Sequence, residues 1–209
     1  MNYADRQQAG WVLADLLKDY AQQKNTLVLA LPRGGVPVAY EIARKLALPL
    51  DIFMVRKLGV PGHEEYAMGA IASGNVVVFN DEVLQFLHLK KAAIAAVLQA
   101  EHDELTRREQ LYRGNKPYPA LVDKTIILVD DGIATGYTMR AALAALAQKQ
   151  PAAIVIAVPV AARSTCAELA GLVSKIICPL QPAHFYAVGL WYDDFTQTTD
   201  AEVLHLLGR

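Results

Sequence analysis

Short, mostly apolar runs alternate with longer amphipathic stretches along the 209 residues of the chain. The apolar runs are Thr26 to Ala30, Asp51 to Val55, Ile126 to Val129, 153–158 and 174–178. Runs this short, without polar alternation, predict strands buried on both faces. Helical periodicity fills the intervals. It covers about 4–23, with Trp11, Leu13, Leu16 and Leu17 on the apolar side, and the stretch from Gly35 to about Leu46. It returns over about 81–113, with a break near Leu89, over Tyr137 to about Gln150, and over 163–172. Extended segments near 67–72 and 75–80 flank Ser73-Gly74-Asn75, a hairpin signal. Residues 56–68 read as a long polar loop, and 180–209 as a loop-rich tail with a short helix around 200–207. Strands alternating with helices predict an α/β fold, with a mostly parallel central sheet flanked by helices and right-handed crossovers.

The candidate chemistry lies at the ends of two of these strands. Residues 126–138 read IILVDDGIATGYT. Asp130 and Asp131 end the strand, a loop with Gly132, Thr135 and Gly136 follows, and Thr138 stands in the next helix. The carboxyl end of a strand is where open α/β sheets bind ligands. Unpaired N–H groups and the dipole at a helix start favour an anion such as phosphate. Two carboxylates suit hydroxyls or a hydrated divalent cation instead. A ligand with phosphate at one end and a diol at the other, such as a ribose 5-phosphate, satisfies both. The plainer alternative is an ordinary turn with acids at a helix cap. After the first strand, Pro32-Arg33-Gly34-Gly35 repeats the design with a cation in place of the acids. An arginine fork and exposed glycine N–H groups suit a diphosphate, although a tight turn with a surface arginine reads much the same.

Composition narrows the field. The net charge of −1 argues against broad nucleic-acid binding. No apolar run reaches membrane-spanning length, and the first residues lack a signal peptide's basic-then-apolar order. Cys166 and Cys178 show no metal-ligand spacing and are expected to be reduced core residues of a cytoplasmic protein. The length suits a single domain, 1–209, with a core of about 24–179. The Walker GxxxxGK[ST], Rossmann GxGxxG and hydrolase GxSxG patterns are all missing from the sequence.

The segment of hydrophobic strand, two acids and small-residue loop resembles the phosphoribosyl pyrophosphate (PRPP) signature of type I phosphoribosyltransferases. That resemblance implies the corresponding fold, with a small hood subdomain, here expected from about 180–209 and the N-terminal helix. It implies that Asp130 and Asp131 bind the ribose hydroxyls, and a metal only indirectly. Gly132, Ala134, Thr135, Gly136 and Thr138 would hold the 5-phosphate. Arg33, Gly34 and Gly35 would bind pyrophosphate, with a cis peptide bond placed at Pro32–Arg33. Gly132 stands where most members carry an aliphatic residue. The 56–68 segment, RKLGVPGHEEYAM, matches the family's flexible loop, so Lys57 or Arg56 would contact pyrophosphate. His63, Glu64 and Glu65 lie in the same segment, but solvated loop residues of these types are more often neither ligands nor bases. Phe185 and Asp193 resemble base-binding positions of the hypoxanthine-guanine branch; simple packing of the tail is an equal alternative. ALPRGGVPVA, VRKLGVPG, RREQLYRG, ILVDDGIATG and VGLWYDDF also match a narrower group of bacterial predicted phosphoribosyltransferases. The implied function is Mg²⁺-dependent phosphoribosyl transfer from PRPP to an acceptor base, including purine-like rings. A non-catalytic PRPP or nucleotide sensor is the alternative. A homodimer is expected. The acceptor, and the roles of Arg107, Arg108, Tyr112 and Arg113, stay open.

Overall fold

The computed structural model describes residues 2–87 and 89–208, without the side chains of Glu64, Glu65 and Leu87. In chain order the elements are α1 (Arg6–Leu16), β1 (Thr26–Ala30), α2 (Gly35–Leu46), β2 (Leu50–Ile52), β3 (Val55–Val60), β4 (His63–Ala72), β5 (Val76–Phe79) and α3 (Asp81–Leu87). They continue with α4 (Lys91–Arg113), β6 (Thr125–Val129), α5 (Tyr137–Ala147), β7 (Ala153–Ala157), α6 (Arg163–Ala170), β8 (Lys175–Ile177) and α7 (Asp200–Leu206). Two compact units result. The first comprises Met1–Phe53, Pro119–Gly136 and Lys149–Arg209; the second comprises Met54–Tyr118 and Tyr137–Gln148.

In the first unit, five parallel strands lie in the order β2-β1-β6-β7-β8. Every residue of β1 is buried, as are Ile126 to Val129 of β6, which is why both read as unbroken apolar runs. The two strands pair in register from Thr26↔Thr125 to Ala30↔Val129. From β1 the chain goes to β2 on one side, and it returns later as β6 on the other. The sheet therefore reverses its order between β1 and β6, and the crevice beyond their carboxyl ends is the expected ligand site.

Helix α1 starts where the Asp5 side chain accepts a hydrogen bond from the Gln8 N–H at 2.7 Å. Its buried stripe is Ala9, Gly10, Leu13 and Ala14, while Trp11 and Leu16, expected on the apolar side, are exposed. Gly10 lets α1 approach α2 closely, because a Cβ there would lie 2.7 Å from both Glu41 Cβ and the Val38 carbonyl. Trp11 Nε1 instead donates to buried Glu41 at 2.8 Å, alongside Gln7 and Arg44. Burial pushes the Glu41 carboxyl up, but these donors outweigh it and hold its pKa below the ordinary value.

The tail runs beside the start of the chain. Tyr3 N–H donates to the Trp191 carbonyl at 2.9 Å, and Asp193 N–H donates to the Tyr3 carbonyl at 2.8 Å. Tyr3, Ala9 and Tyr192 form a small core here, with Val188, Trp191 and Phe195 packed against it. Cys166 and Cys178 are buried and unbridged.

The second unit is an antiparallel sheet, β3-β4-β5, packed with α3, α4 and α5. Here the structure corrects the sequence reading. Residues 56–68 form most of a hairpin rather than a loop, with β3 and β4 joined through Pro61 and Gly62, whose φ is +80°. Leu58, Val60 and Met68 are buried and supply its apolar face. Lys57, Gly59 and His63 dilute that pattern, and register shifts around Gly59 break the period-two alternation. The helical stretch 81–113 is interrupted as expected, between α3 and α4.

Candidate active site

Asp130 and Asp131 follow β6, and the turn after β1 lies against them. A Cβ on Gly35 would come 2.7 Å from the Val129 carbonyl and 2.9 Å from Asp130 Cα. A Cβ on Gly34 would come 2.0 Å from Asp131 Oδ2. Both glycines are thus required by the approach of the two turns, quite apart from any ligand. The Pro32–Arg33 peptide bond is cis, at the place expected. Arg33 makes only a loose pair with Asp200, at 3.5 Å with 32% of its side chain exposed. Such a pair contributes little and is readily exchanged for an anion.

The acid pair is half-buried. Asp131 N–H donates to Asp130 Oδ1 at 2.8 Å. Burial, and then the neighbouring Asp131 charge, push the Asp130 carboxyl well above the ordinary carboxylate range. Burial pushes Asp131 up as well, while Arg6 opposes it. Asp130 therefore binds its proton more tightly folded than unfolded. It favours folding below the ordinary carboxylate range, and that contribution is lost as pH rises through its elevated pKa. Asn has no proton to lose. Free of ligand and in chelator, Asp130→Asn is expected to match wild type at acid pH and to exceed it in stability at alkaline pH. Denaturant unfolding across that range checks this; a variant without any gain at the alkaline end contradicts it.

Arg6, at the first position of α1, is a site residue that the sequence reading did not single out. Its Nε donates to Asp131 Oδ2 at 2.9 Å, its Nη2 forms an ion pair with the same oxygen at 2.8 Å, and its Nη1 donates to the Thr196 carbonyl at 2.7 Å. Its guanidinium lies 4.0 Å from the Phe195 ring centroid. Tyr192 donates its hydroxyl to the Asp131 carbonyl at 2.6 Å. One sequence signal existed. A cation in the first turn of a helix opposes the helix dipole, so it calls for an outside partner. Arg6 also lines a polar cavity of about 360 Å³ with Tyr40, Glu41, Asp194 and Thr196.

The loop after the acids is anchored from two sides. Ile133 N–H donates to the Val160 carbonyl at 2.9 Å, and Thr165 Oγ1 donates to the Ala134 carbonyl at 3.1 Å. Gly136 has φ +75°, which a residue with a Cβ rarely adopts. Ala134 and Thr135 are exposed. Among the described residues, the N–H groups of Ala134, Thr135 and Gly136 donate to no protein acceptor. Together they form a concavity of donors suited to an anion. Thr138, in the first turn of α5, is exposed and belongs to the second unit.

Gly132 has a packing explanation. A Cβ there would meet Val188 Cγ1 at 2.5 Å and Val160 Cγ1 at 3.2 Å. The tail's Val188 fills the space that an aliphatic side chain at this position would take. Gly132→Ala is expected to destabilise the protein by about 1–3 kcal/mol. Adding Val188→Ala should recover part of that loss, a non-additivity that a thermodynamic cycle measures.

The remaining expected residues divide. Arg56 is paired with Glu101 of α4 at 2.6 Å, so its first role is to fasten β3 to that helix. Lys57 is exposed on β3. The side chains of Glu64 and Glu65 lie outside the described residues. Phe185 is half-buried and stands outside the Tyr3, Tyr192 and Phe195 rings; Asp193 is exposed. Arg107 and Arg108 both pair with Glu104, and Tyr112 is buried. Arg113 is buried, donates to the Pro117 carbonyl at 2.7 Å and lies over the Tyr118 ring. Tyr118 in turn donates to Glu109. These contacts close the end of α4 onto the following loop.

Comparison with known proteins agrees with this geometry. The family model of the phosphoribosyl transferase domain matches residues 2–187. A Mycobacterium tuberculosis H37Rv protein provisionally named a phosphoribosyl transferase is 43% identical over 207 residues, covering 99% of this chain and 46% of its own length. The chain thus spans about half the length of the curated relatives it matches. The crystal structure of TT1426 from Thermus thermophilus is 37% identical with a TM-score of 0.87, covering 99% of this chain and 98% of that one. A hypoxanthine phosphoribosyltransferase from Staphylococcus aureus shares the fold alone, at 12% identity and TM-score 0.50 over 87% of this chain and 75% of its own. With the match running from the first residues through the acid pair and both glycine turns into the tail, the chain belongs to the phosphoribosyl transferase domain family.

Proposed function

We propose that this chain is a phosphoribosyltransferase that moves the phosphoribosyl group of PRPP to a ring nitrogen of an acceptor base and releases pyrophosphate. One observation carries the reading. Two glycine turns meet beyond paired strands at the switch point of the sheet, one carrying half-buried carboxylates and unengaged N–H groups, the other an arginine. A diol, a monophosphate and a diphosphate on one small molecule meet all three demands.

The chemistry follows from those groups. Leaving of pyrophosphate from C1 builds positive charge on the ribose ring, as in glycoside cleavage. Asp130 and Asp131 accept the ribose hydroxyls and place a negative field beside that ring. Arg33, with the N–H groups of Gly34 and Gly35, takes the pyrophosphate as its charge grows. Ala134, Thr135 and Gly136 hold the 5-phosphate and so fix C1 in place. Lys57 is the further cation expected for pyrophosphate. Among the described residues no three His, Cys, Asp or Glu side chains group to hold a metal. The acid pair would hold Mg²⁺ only indirectly, through water or ribose hydroxyls, as suits an ion that keeps most of its waters. Bound there, Mg²⁺ would neutralise charge on the departing pyrophosphate.

The test is a screen of purine, pyrimidine and related acceptors with PRPP and Mg²⁺, following pyrophosphate release. Acceptor-dependent release supports the proposal; tight PRPP binding without turnover on any acceptor points to the sensor instead. Thr135→Val should weaken ribose 5-phosphate binding by about 1–3 kcal/mol, because it removes a hydroxyl donor from a charged ligand. Unchanged affinity in calorimetry would count against the assigned phosphate loop.

A further inference from the structure

We propose that Arg6 is a positioning residue of the donor site, fixing the Asp131 carboxylate in the orientation that receives a ribose hydroxyl and tying the 192–196 tail to that carboxylate. This rests on the donor reading of the acid pair given above.

The geometry is that of a bracket. All three nitrogens of one planar guanidinium are used: Nε donates to Asp131 Oδ2 at 2.9 Å, Nη2 pairs with the same oxygen at 2.8 Å, and Nη1 donates to the Thr196 carbonyl at 2.7 Å. The Phe195 ring holds the guanidinium plane from one side, 4.0 Å away, and Tyr192 stacks on Phe195 with ring centroids 5.0 Å apart. Both charged side chains are withdrawn from solvent, with 11% of Arg6 and 15% of Asp131 exposed. An ion pair so placed loses little to screening. Asp131 Oδ2 is also pressed toward Gly34, where a Cβ would lie 2.0 Å away. The carboxylate is thus confined by the guanidinium on one side and by the glycine turn on another.

That confinement leaves the acid usable. An ionised carboxylate offers about four lone-pair sites. Arg6 engages Oδ2 alone and leaves Oδ1. A site remains for a ribose hydroxyl, in a fixed direction. Lysine cannot replace the bracket, since an ammonium is a point charge without the planar fork that reaches Asp131 and Thr196 together. The pattern also explains why a cation occupies the first turn of α1, where the helix dipole disfavours it. Finally, Tyr192 donates to the Asp131 carbonyl and Val188 fills the space over Gly132, so the tail is applied to the acid turn at three points. Arg6 is the one that reaches the carboxylate itself.

The experiment titrates wild type, Arg6→Lys and Arg6→Gln with ribose 5-phosphate and, separately, with inorganic phosphate, by calorimetry. Positioning predicts that both variants lose about tenfold or more in ribose 5-phosphate affinity, the scale of one broken charged contact, while phosphate affinity stays within about twofold. If either variant binds ribose 5-phosphate as tightly as wild type does, the proposal is overturned; for Arg6→Lys that result means charge alone suffices. A parallel loss of both ligands overturns it too, because Arg6 then serves only the scaffold. If wild type itself binds neither ligand, the donor reading fails first and this proposal falls with it.

Discussion

Asp131→Asn is expected to lower kcat/KM for PRPP by about 100-fold or more, roughly 2.7 kcal/mol of transition-state stabilisation. Two losses add up. The ribose hydroxyl loses a charged acceptor, and the ring loses a negative field beside C1 as positive charge develops. The substitution also leaves Arg6 withdrawn from water without a counter-ion. A stability cost of about 1–3 kcal/mol is therefore expected alongside the kinetic one. The two effects separate in a double variant. Asp131→Asn with Arg6→Gln removes the stranded charge and should recover stability, yet it should recover no activity. Denaturant unfolding and pyrophosphate release on the same four proteins check this. A double variant that regains turnover would show that Asp131 acts only as a partner for Arg6.

Gly35→Ala is expected to cost more stability than the change at its neighbour, Gly34→Ala. The added Cβ would meet backbone, the Val129 carbonyl at 2.7 Å and Asp130 Cα at 2.9 Å. Neither can swing aside, since Val129 ends a central strand paired on two sides and Asp130 Cα is the backbone that follows it directly. Overpacking of this kind costs about 1–3 kcal/mol, and because the acid pair must shift, PRPP affinity should fall with it. Gly34→Ala meets a different obstacle, the Asp131 carboxylate at 2.0 Å. A side chain can rotate, so the expected outcome is less loss of stability and a broken Arg6–Asp131 pair. Comparing unfolding free energy with ribose 5-phosphate affinity across the two variants tests the distinction. Equal losses of both kinds would remove it.

The central sheet and both turns are readable in the sequence because their signals are local. β1 and β6 are buried on both faces and so appear as unbroken apolar runs, while acids and glycines crowd the residues just beyond them. The 56–68 hairpin escapes such a reading because its buried positions, Leu58, Val60 and Met68, are interleaved with glycine, proline and charge, and a bulge disrupts the alternation. Arg6 escapes it for another reason. Its partner is 125 residues away, and nothing near Asp131 announces a missing counter-ion. The unusual Gly132 is visible in the sequence without its cause, since the cause is Val188, a tail residue brought over it only by the fold. Arg56 is the converse case: a cation in a promising segment is fastened to Glu101, a partner that only the fold brings near.

Whether the acid pair and the two glycine turns form a PRPP site is decided by calorimetric titration of the full chain with PRPP in Mg²⁺, with Asp131→Asn measured beside wild type. Saturable binding at one site per chain is expected, weakened by about tenfold or more in the variant. Wild type that takes up neither PRPP nor ribose 5-phosphate in the presence of Mg²⁺, or a variant that binds PRPP as tightly as wild type, would contradict it.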